Sequence, residues 1–154
     1  MTKSPQQKAI LSHNLYQQDF YLWTQSTPNL LRGAKFAQLD LANLIEEVES
    51  MGRSEKRELK SRLIILLMHL LKWKYQPEKI SPSWRNTISE QRISLEELLE
   101  DSPSLQPLIP EVFVPCYKKA RIKSAQKTSM DLALFPEESP FTDIETLDFT
   151  YLPR

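Results

Sequence analysis

The sequence predicts an all-α protein: a bundle of about five to seven helices around a central buried helix, Ser54–Tyr75. Apolar residues recur at helical spacing, no alternating strand pattern is found, and eleven prolines separate the helical segments. The central helix contains the longest apolar run, LIILLMHLL. A helix that is apolar all round is buried on several sides, and nine residues are too few to cross a bilayer. We therefore expect a core helix rather than a membrane span.

Length and composition restrict the class of protein. The 154 residues predict a single helical domain over 13–154 behind a flexible N-terminus, 1–12. The net charge of zero argues against a general polyanion binder, and the single cysteine, Cys116, excludes an internal disulfide or a cysteine-based zinc site. Two glycines are too few for a phosphate-binding loop. The N-terminus lacks the apolar core of a signal peptide, so we expect a cytoplasmic protein.

The first helix is predicted to begin at Asp19, whose carboxylate can accept hydrogen bonds from the free N–H groups of the first turn. It ends near Gly33. Pro28 lies in the middle of this segment, where proline removes a backbone hydrogen bond and clashes with the preceding turn. Because Thr27 and Pro28 suit the N-cap and first position of a new helix, we expect a kink or two short helices.

The second helix is predicted to start at the N-cap Asp40 and to be amphipathic, with its apolar residues on one face. Gly52 follows this face, and Ser54 can cap a new helix, so a break or bend is expected at Gly52. The members of the face fall at helical spacing: Leu41, Leu44, Ile45, Val48 and Met51.

A further helix is predicted from Trp84 to about Glu100, with Ser83 as its N-cap. Gln91 interrupts its apolar stripe and needs a hydrogen-bond partner if buried. The arginines of this helix, Arg85 and Arg92, are candidate ion-pair partners for the acidic residues Glu46, Glu47 and Glu49.

The last third of the chain contains two more start signals. Ser102 followed by proline predicts a restart, and Pro110 and Pro115 are expected to break or bend that helix before a basic helix, Cys116–Lys127. The sequence 142–145 matches a capping box and predicts one or two turns up to Leu147. The apolar residues that follow predict a C-terminal segment docked on the bundle.

Three residues form a candidate catalytic or metal site. Glu46 and Glu49 share a helix face, and His69 would join them if the two predicted helices packed antiparallel. The alternative is structural: the glutamates pair with Arg57 or Arg62, and His69 is a hydrogen-bonded core residue. No cofactor is predicted; the alternative to that prediction is a divalent metal in a hydrolase-like site in the bundle interior.

The basic segments form a candidate nucleic-acid surface, with Trp73 and Tyr75 available for base stacking. The alternative is that acidic helices neutralise them within the molecule. The candidate nucleic-acid residues are Arg53, Lys56, Arg57, Lys60, Lys118, Lys119, Arg121 and Lys123.

The favoured function is a non-enzymatic protein-interaction module. No nucleophile–base pair, phosphate loop or strong metal spacing is found. Trp73, Tyr75 and Trp84 surround a proline-containing linker and are candidate contact residues, since aromatic side chains anchor interfaces. We expect an unknown protein partner or a homo-oligomer, and no membrane association.

Three strings give the sequence a resemblance to a known family: DFYxW at 19–23, LDxxNLIEEVESMG at 39–52 and LLxHLLKWxYQ at 66–76. They resemble domain-of-unknown-function family 29, which is mostly cyanobacterial and uncharacterised. SWRxxI at 83–88 and the segments around 135 and 152 fit it too. The resemblance covers almost the whole chain, implies an all-helical bundle and brings no established activity.

Overall fold

The computed structural model describes Thr2 and residues 15–154. The predicted flexible segment, 1–12, lies outside the described residues apart from Thr2. The chain divides into two compact units, Met1–Arg53 and Ser54–Arg154. A single domain over 13–154 stays a prediction.

The described part of the chain is mostly helical and contains no strand, which confirms the all-α class. A short helical turn covers 15–18, and short 3-10 helices lie between the longer helices. No helix among these residues combines the length and the apolar character needed to cross a membrane. The α-helices with defined bounds are α1 (Phe20–Arg32), α2 (Leu41–Tyr75), α3 (Pro82–Asp101), α4 (Ile109–Thr128) and α5 (Asp143–Leu147).

Helix α1 begins and ends where the sequence predicts but is not divided. The Asp19 carboxylate accepts a hydrogen bond from the Leu22 N–H at 3.0 Å, and Gly33 is the C-terminal cap. Of the two outcomes expected at Pro28, a kink or two short helices, the division into two helices is wrong, because Pro28 lies inside one continuous helix. Trp23 and Thr27 are both buried on the same face. Packing on that face, one turn apart, favours continuation of the helix through the proline.

Helix α2 starts as predicted but passes through its glycine. Asp40 accepts a hydrogen bond from the Asn43 N–H at 3.3 Å. The break at Gly52 is wrong, because α2 is a single helix from Leu41 to Tyr75. Gly52 does not adopt a positive φ, and a Cβ there would meet nothing within 4 Å. A helical glycine costs only about 1 kcal/mol relative to alanine, which neighbouring turns readily offset.

The core of the C-terminal unit is built on the second half of α2, as predicted. Helices α3 and α4 and the segment around Phe135 and Phe141 pack against it. This continuous apolar cluster confirms the central buried helix. Its fully buried α2 members are Leu59, Leu63, Leu66, Leu67, Leu70 and Leu71.

The start of α3 differs from the prediction by two residues. Ser81, rather than Ser83, accepts a hydrogen bond from the Trp84 N–H, at 3.3 Å. The reason is that Pro82 occupies the first helical position, where its missing N–H costs nothing. Gln91 finds the partner it needs, since the Arg62 guanidinium donates to its side-chain oxygen at 3.4 Å.

The 3-10 helix Pro103–Leu108 follows Ser102 and ends just before Pro110, where α4 begins at Ile109, so Pro110 lies at a helix boundary. The predicted break at Pro115 is wrong, because α4 continues through it to Thr128. Pro110 lies in the first turn, which has no intrahelical N–H bond to lose. Pro115 is exposed, while its neighbours Phe113 and Cys116 are buried and hold the helix against the core.

The C-terminal segment docks on the unit as expected. The Thr142 hydroxyl and the Glu145 carboxylate form the reciprocal capping box that starts α5. The buried Arg92 donates to the Thr146 carbonyl oxygen at 2.9 Å, and Lys74 donates to the Arg154 carbonyl oxygen at 2.9 Å. Arg92 therefore secures the C-terminal segment and is not the predicted partner of the α2 glutamates.

Candidate functional site

An exposed apolar surface lies on the first half of α2. Leu41, Ile45, Val48 and Met51 are 60, 49, 58 and 66% exposed, and only Leu44 of the predicted apolar face is half-buried. We call these four exposed residues the apolar stripe. Their helical spacing correctly places them on one face, but nothing in the described part of the N-terminal unit covers that face.

Aromatic packing occupies other residues of the N-terminal unit. Trp23 lies edge-on to Tyr16 at 4.9 Å and stacked with Phe20 at 5.8 Å, measured between ring centroids. The Tyr16 hydroxyl donates to the Glu47 carboxylate at 2.5 Å, and this bond raises the pKa of Tyr16. Glu47 therefore accepts a hydrogen bond within the N-terminal unit, and it does not form the predicted ion pair with an arginine of α3 in the described part of the chain.

The acidic candidates Glu46 and Glu49 flank the apolar stripe. Arg53 donates to Glu46 at 2.6 Å and lies 3.9 Å from Glu49. The structural interpretation of these glutamates as ion-pair partners is correct in kind, but the predicted partners, Arg57 and Arg62, are wrong. Arg53 lies one turn from Glu49 and two turns from Glu46 on the same helix, so it is the nearer cation.

His69 lies in the C-terminal unit, whereas Glu46 and Glu49 lie in the N-terminal unit. Its Nδ1 donates to the Ile65 carbonyl oxygen at 2.8 Å, so it is hydrogen-bonded as the structural alternative predicts, but it is half-buried rather than a core residue. Burial lowers its pKa. The condition for this site, two helices packed antiparallel, is not met, because all three residues belong to α2. Among the described residues, no three His, Cys, Asp or Glu side chains form a metal-binding group.

The proposed aromatic contact residues are more covered than expected. Trp73 is buried in the core, which corrects its prediction as a surface residue, while Tyr75 and Trp84 are half-buried. The Lys72 ammonium lies 4.5 Å from the centroid of the Trp84 ring, and the Arg85 guanidinium lies 5.3 Å from that of Trp73. The contact with Arg85 occupies one face of the Trp73 ring, which base stacking would otherwise use.

Two of the eight nucleic-acid candidates have structural partners. Arg53 pairs with Glu46, and Arg121 donates to the Phe135 carbonyl oxygen at 2.9 Å and to that of Leu132 at 3.2 Å. Arg121 therefore holds the chain after α4. The exposed members Lys56, Arg57 and Lys118 make no ion pair within the described part of the protein.

The structure brings Lys60, Lys119 and Lys123 to one seam, because α4 lies beside the second half of α2. Cys116 Sγ lies 3.7 Å from the Lys60 carbonyl oxygen, and Ser124 Oγ lies 3.5 Å from that of Met68. Each contact joins residues 56 positions apart, so the two helices run in the same direction. Cys116, Ala120 and Ser124 are small and buried at every fourth position, which lets the helices approach closely.

A groove with cationic edges follows this contact. We call it the seam groove; its volume is about 380 Å³. Lys60 and Lys119 both lie near the Cys116 thiol, where their charges oppose the rise in pKa that burial causes. Burial and the charge of Lys127 lower the pKa of Lys72. The residues that line the groove are Ile64, Ile65, Met68, Lys123, Gln126 and Lys127.

Sequence reasoning missed the seam groove because the parallel pairing of α2 and α4 is a long-range property. The repeat of small residues at Cys116, Ala120 and Ser124 is the signal that could have indicated it. The seam groove therefore lies between the two segments predicted to be basic, and its apolar lining comes from the run that the sequence predicts to be core.

Known proteins supply a family but no activity. No curated protein and no solved structure matches the chain. Residues 15–152 match the family described as a domain of unknown function, DUF29. The resemblance drawn from the three sequence strings is thereby confirmed over nearly the whole chain, and the protein belongs to this family.

Proposed function

We propose that the protein is a non-enzymatic interaction module that binds a protein partner through the apolar stripe. The observation that carries the proposal is the exposure of Leu41, Ile45, Val48 and Met51 on one helix face. Burying half of each such side chain contributes on the order of 1 kcal/mol. Four of them contribute enough to offset part of the cost of association, so this surface supports binding more strongly than the covered aromatic candidates do.

The form of the stripe supports a helix-in-groove mode of recognition. Anchors at i, i+4, i+7 and i+10 are the pattern by which amphipathic helices occupy apolar grooves. Glu46 and Glu49 lie beside the anchors and are more than half exposed. They would favour a partner whose groove has cationic edges.

The test replaces Ile45 and Val48 together by lysine. Both side chains are exposed, so the variant is expected to fold with an unchanged circular dichroism spectrum and melting temperature. It should lose the partner that co-purifies with the wild-type protein from its native host, or lose self-association. The matched control is Gln25→Lys, an exposed change on α1 outside the stripe. Equal recovery of the partner with both variants would contradict the proposal.

The two alternatives and the cytoplasmic location stay predictions. Stoichiometric metal that is lost from both Glu49→Ala and His69→Ala would favour a metal site over an interaction module. Nucleic-acid binding that weakens steeply with salt, and further in Lys123→Ala, would favour the basic surface.

A further inference from the structure

The seam groove carries positive charge without a matching acidic residue. Its floor is apolar, with Ile64 and Met68 at 8 and 9% exposure, and Lys123 and Lys127 stand at its edge. No carboxylate lines it. Lys72 lies close enough for Lys127 to affect its titration. An occupant that combined apolar side chains with carboxylates would match both the floor and the edge.

The acidic residues of the same α2 segment are engaged elsewhere. Glu55 accepts a hydrogen bond from the Ser102 hydroxyl at 3.1 Å, and Glu58 pairs with Arg62 at 2.8 Å. The ion pairs found among the described residues join Arg53 to two glutamates and Arg62 to Glu58, and none includes a lysine of the groove. The charge of the groove is therefore not neutralised within the described part of the protein.

The apolar stripe has the complementary composition. Residues 41–53 contain three glutamates and one arginine, a net charge of −2. The eleven residues from Leu41 to Met51 cover about 15 Å of helix at 1.5 Å per residue. The α2 residues that line the groove, Ile64 to Met68, cover about 6 Å on the same scale, so the groove receives part of the stripe. The two surfaces are opposite in charge and both are apolar at the contact.

Pairing of the stripe with the stripe of another molecule is less favourable. Although Arg53 pairs with Glu46 and Glu49, a contact between two stripes would bring together two segments that each keep a net charge of −2, and like charges at such a contact are destabilising. A groove with lysine edges removes that repulsion and adds attraction. Electrostatic complementarity therefore favours the seam groove, rather than a second stripe, as the surface that binds the stripe.

We propose that the apolar stripe of one molecule docks into the seam groove of a second copy of the protein. This inference rests on the proposed function, in which the stripe is the contact surface. The contact is heterologous, because the donor and acceptor surfaces differ. Each molecule has one of each, so association gives a closed ring if the rotation closes and a longer chain if it does not.

The experiment measures the mass of the full-length protein by sedimentation at low salt, at concentrations up to about 0.1 mM. Wild type should associate, and added salt should weaken the association. Charge reversal of the acceptor, Lys123→Glu with Lys127→Glu, should weaken it at least about tenfold, equivalent to about 1.4 kcal/mol. The matched control is Lys118→Glu, an exposed α4 residue that does not line the groove. This control should leave association unchanged.

The decisive experiment asks whether a second charge reversal restores association. Reversal of the donor, Glu46→Lys with Glu49→Lys, should also weaken association, and the fourfold variant should recover it. Circular dichroism spectra confirm that each variant folds. A wild-type protein that stays monomeric overturns the inference, as does a fourfold variant that fails to associate. A third outcome separates the two proposals. If the double variant Ile45→Lys with Val48→Lys loses association while none of the charge reversals changes it, the docking into the seam groove is overturned and the proposed function still stands.

Discussion

Both halves of α2 carry apolar residues at helical spacing, but the surroundings of those residues are opposite. In the first half, Leu41, Ile45, Val48 and Met51 are about half exposed or more. In the second half, Leu63, Leu66 and Leu70 are fully buried under α3 and α4. The comparison teaches that periodicity tells which residues share a face but not what covers that face. A face left open after folding is a binding candidate on physical grounds.

The largest effect should come from matched truncations in the two halves. Leu66→Ala removes a fully buried side chain and should lower the free energy of unfolding by about 2–5 kcal/mol. Leu41→Ala removes an exposed one and should change it by no more than about 0.5 kcal/mol. Urea denaturation measures both values. Equal losses would mean that the stripe is covered in the isolated protein.

A second effect concerns the C-terminal segment, which packs on the core built around the second half of α2. Arg92 is 2% exposed and donates to the Thr146 and Glu145 carbonyl oxygens. Arg92→Ala leaves a buried carbonyl without its donor and should cost about 1–3 kcal/mol. Hydrogen exchange should quicken in α5 and the C-terminal residues before it does in α2. Uniform exchange throughout the unit would contradict this local role.

The junction between the two halves gives a smaller change of opposite sign. Gly52 is helical, and an added Cβ would meet nothing within 4 Å. Gly52→Ala should therefore raise the free energy of unfolding by about 0.5–1 kcal/mol, because alanine has less conformational freedom to lose. Destabilisation measured by urea denaturation would show that the continuous helix needs glycine at this position.

The smallest effect is a pH dependence in the second half. Burial lowers the pKa of His69 below its usual 6.5. The unfolded chain therefore binds the proton more readily, so stability is complete above pH 6.5 and decreases as pH falls from there to the folded-state pKa. Thermal melting between pH 8 and pH 5, with His69→Gln as the variant that does not titrate, measures the difference. An unchanged pH profile in the variant would refute this contribution.

Local signals were sufficient to predict the helix starts at Asp19, Asp40 and Thr142, since each depends on hydrogen bonds within one turn. The prediction failed at Gly52 and Pro115, where packing or neighbouring turns favour a continuous helix over local preference.

The candidate sites depended on long-range pairing and were less predictable. Arg53 pairs with Glu46 because both lie on one unbroken helix, and Trp73 is buried because the core extends to the end of α2. Neither the seam groove nor the exposure of the stripe is encoded in any short segment. Each depends on which helices pack together and which face is left without a neighbour.

The most direct test of the central claim measures the accessibility of the stripe itself. Val48→Cys places a thiol on the stripe, and the native Cys116 is a built-in control because it is buried and burial raises its pKa. In dilute protein, the introduced thiol should react rapidly with a maleimide while Cys116 reacts slowly. Its labelling should slow as association or partner binding covers the stripe. Slow labelling in the dilute monomer, or a rate that no binding condition changes, would contradict the account.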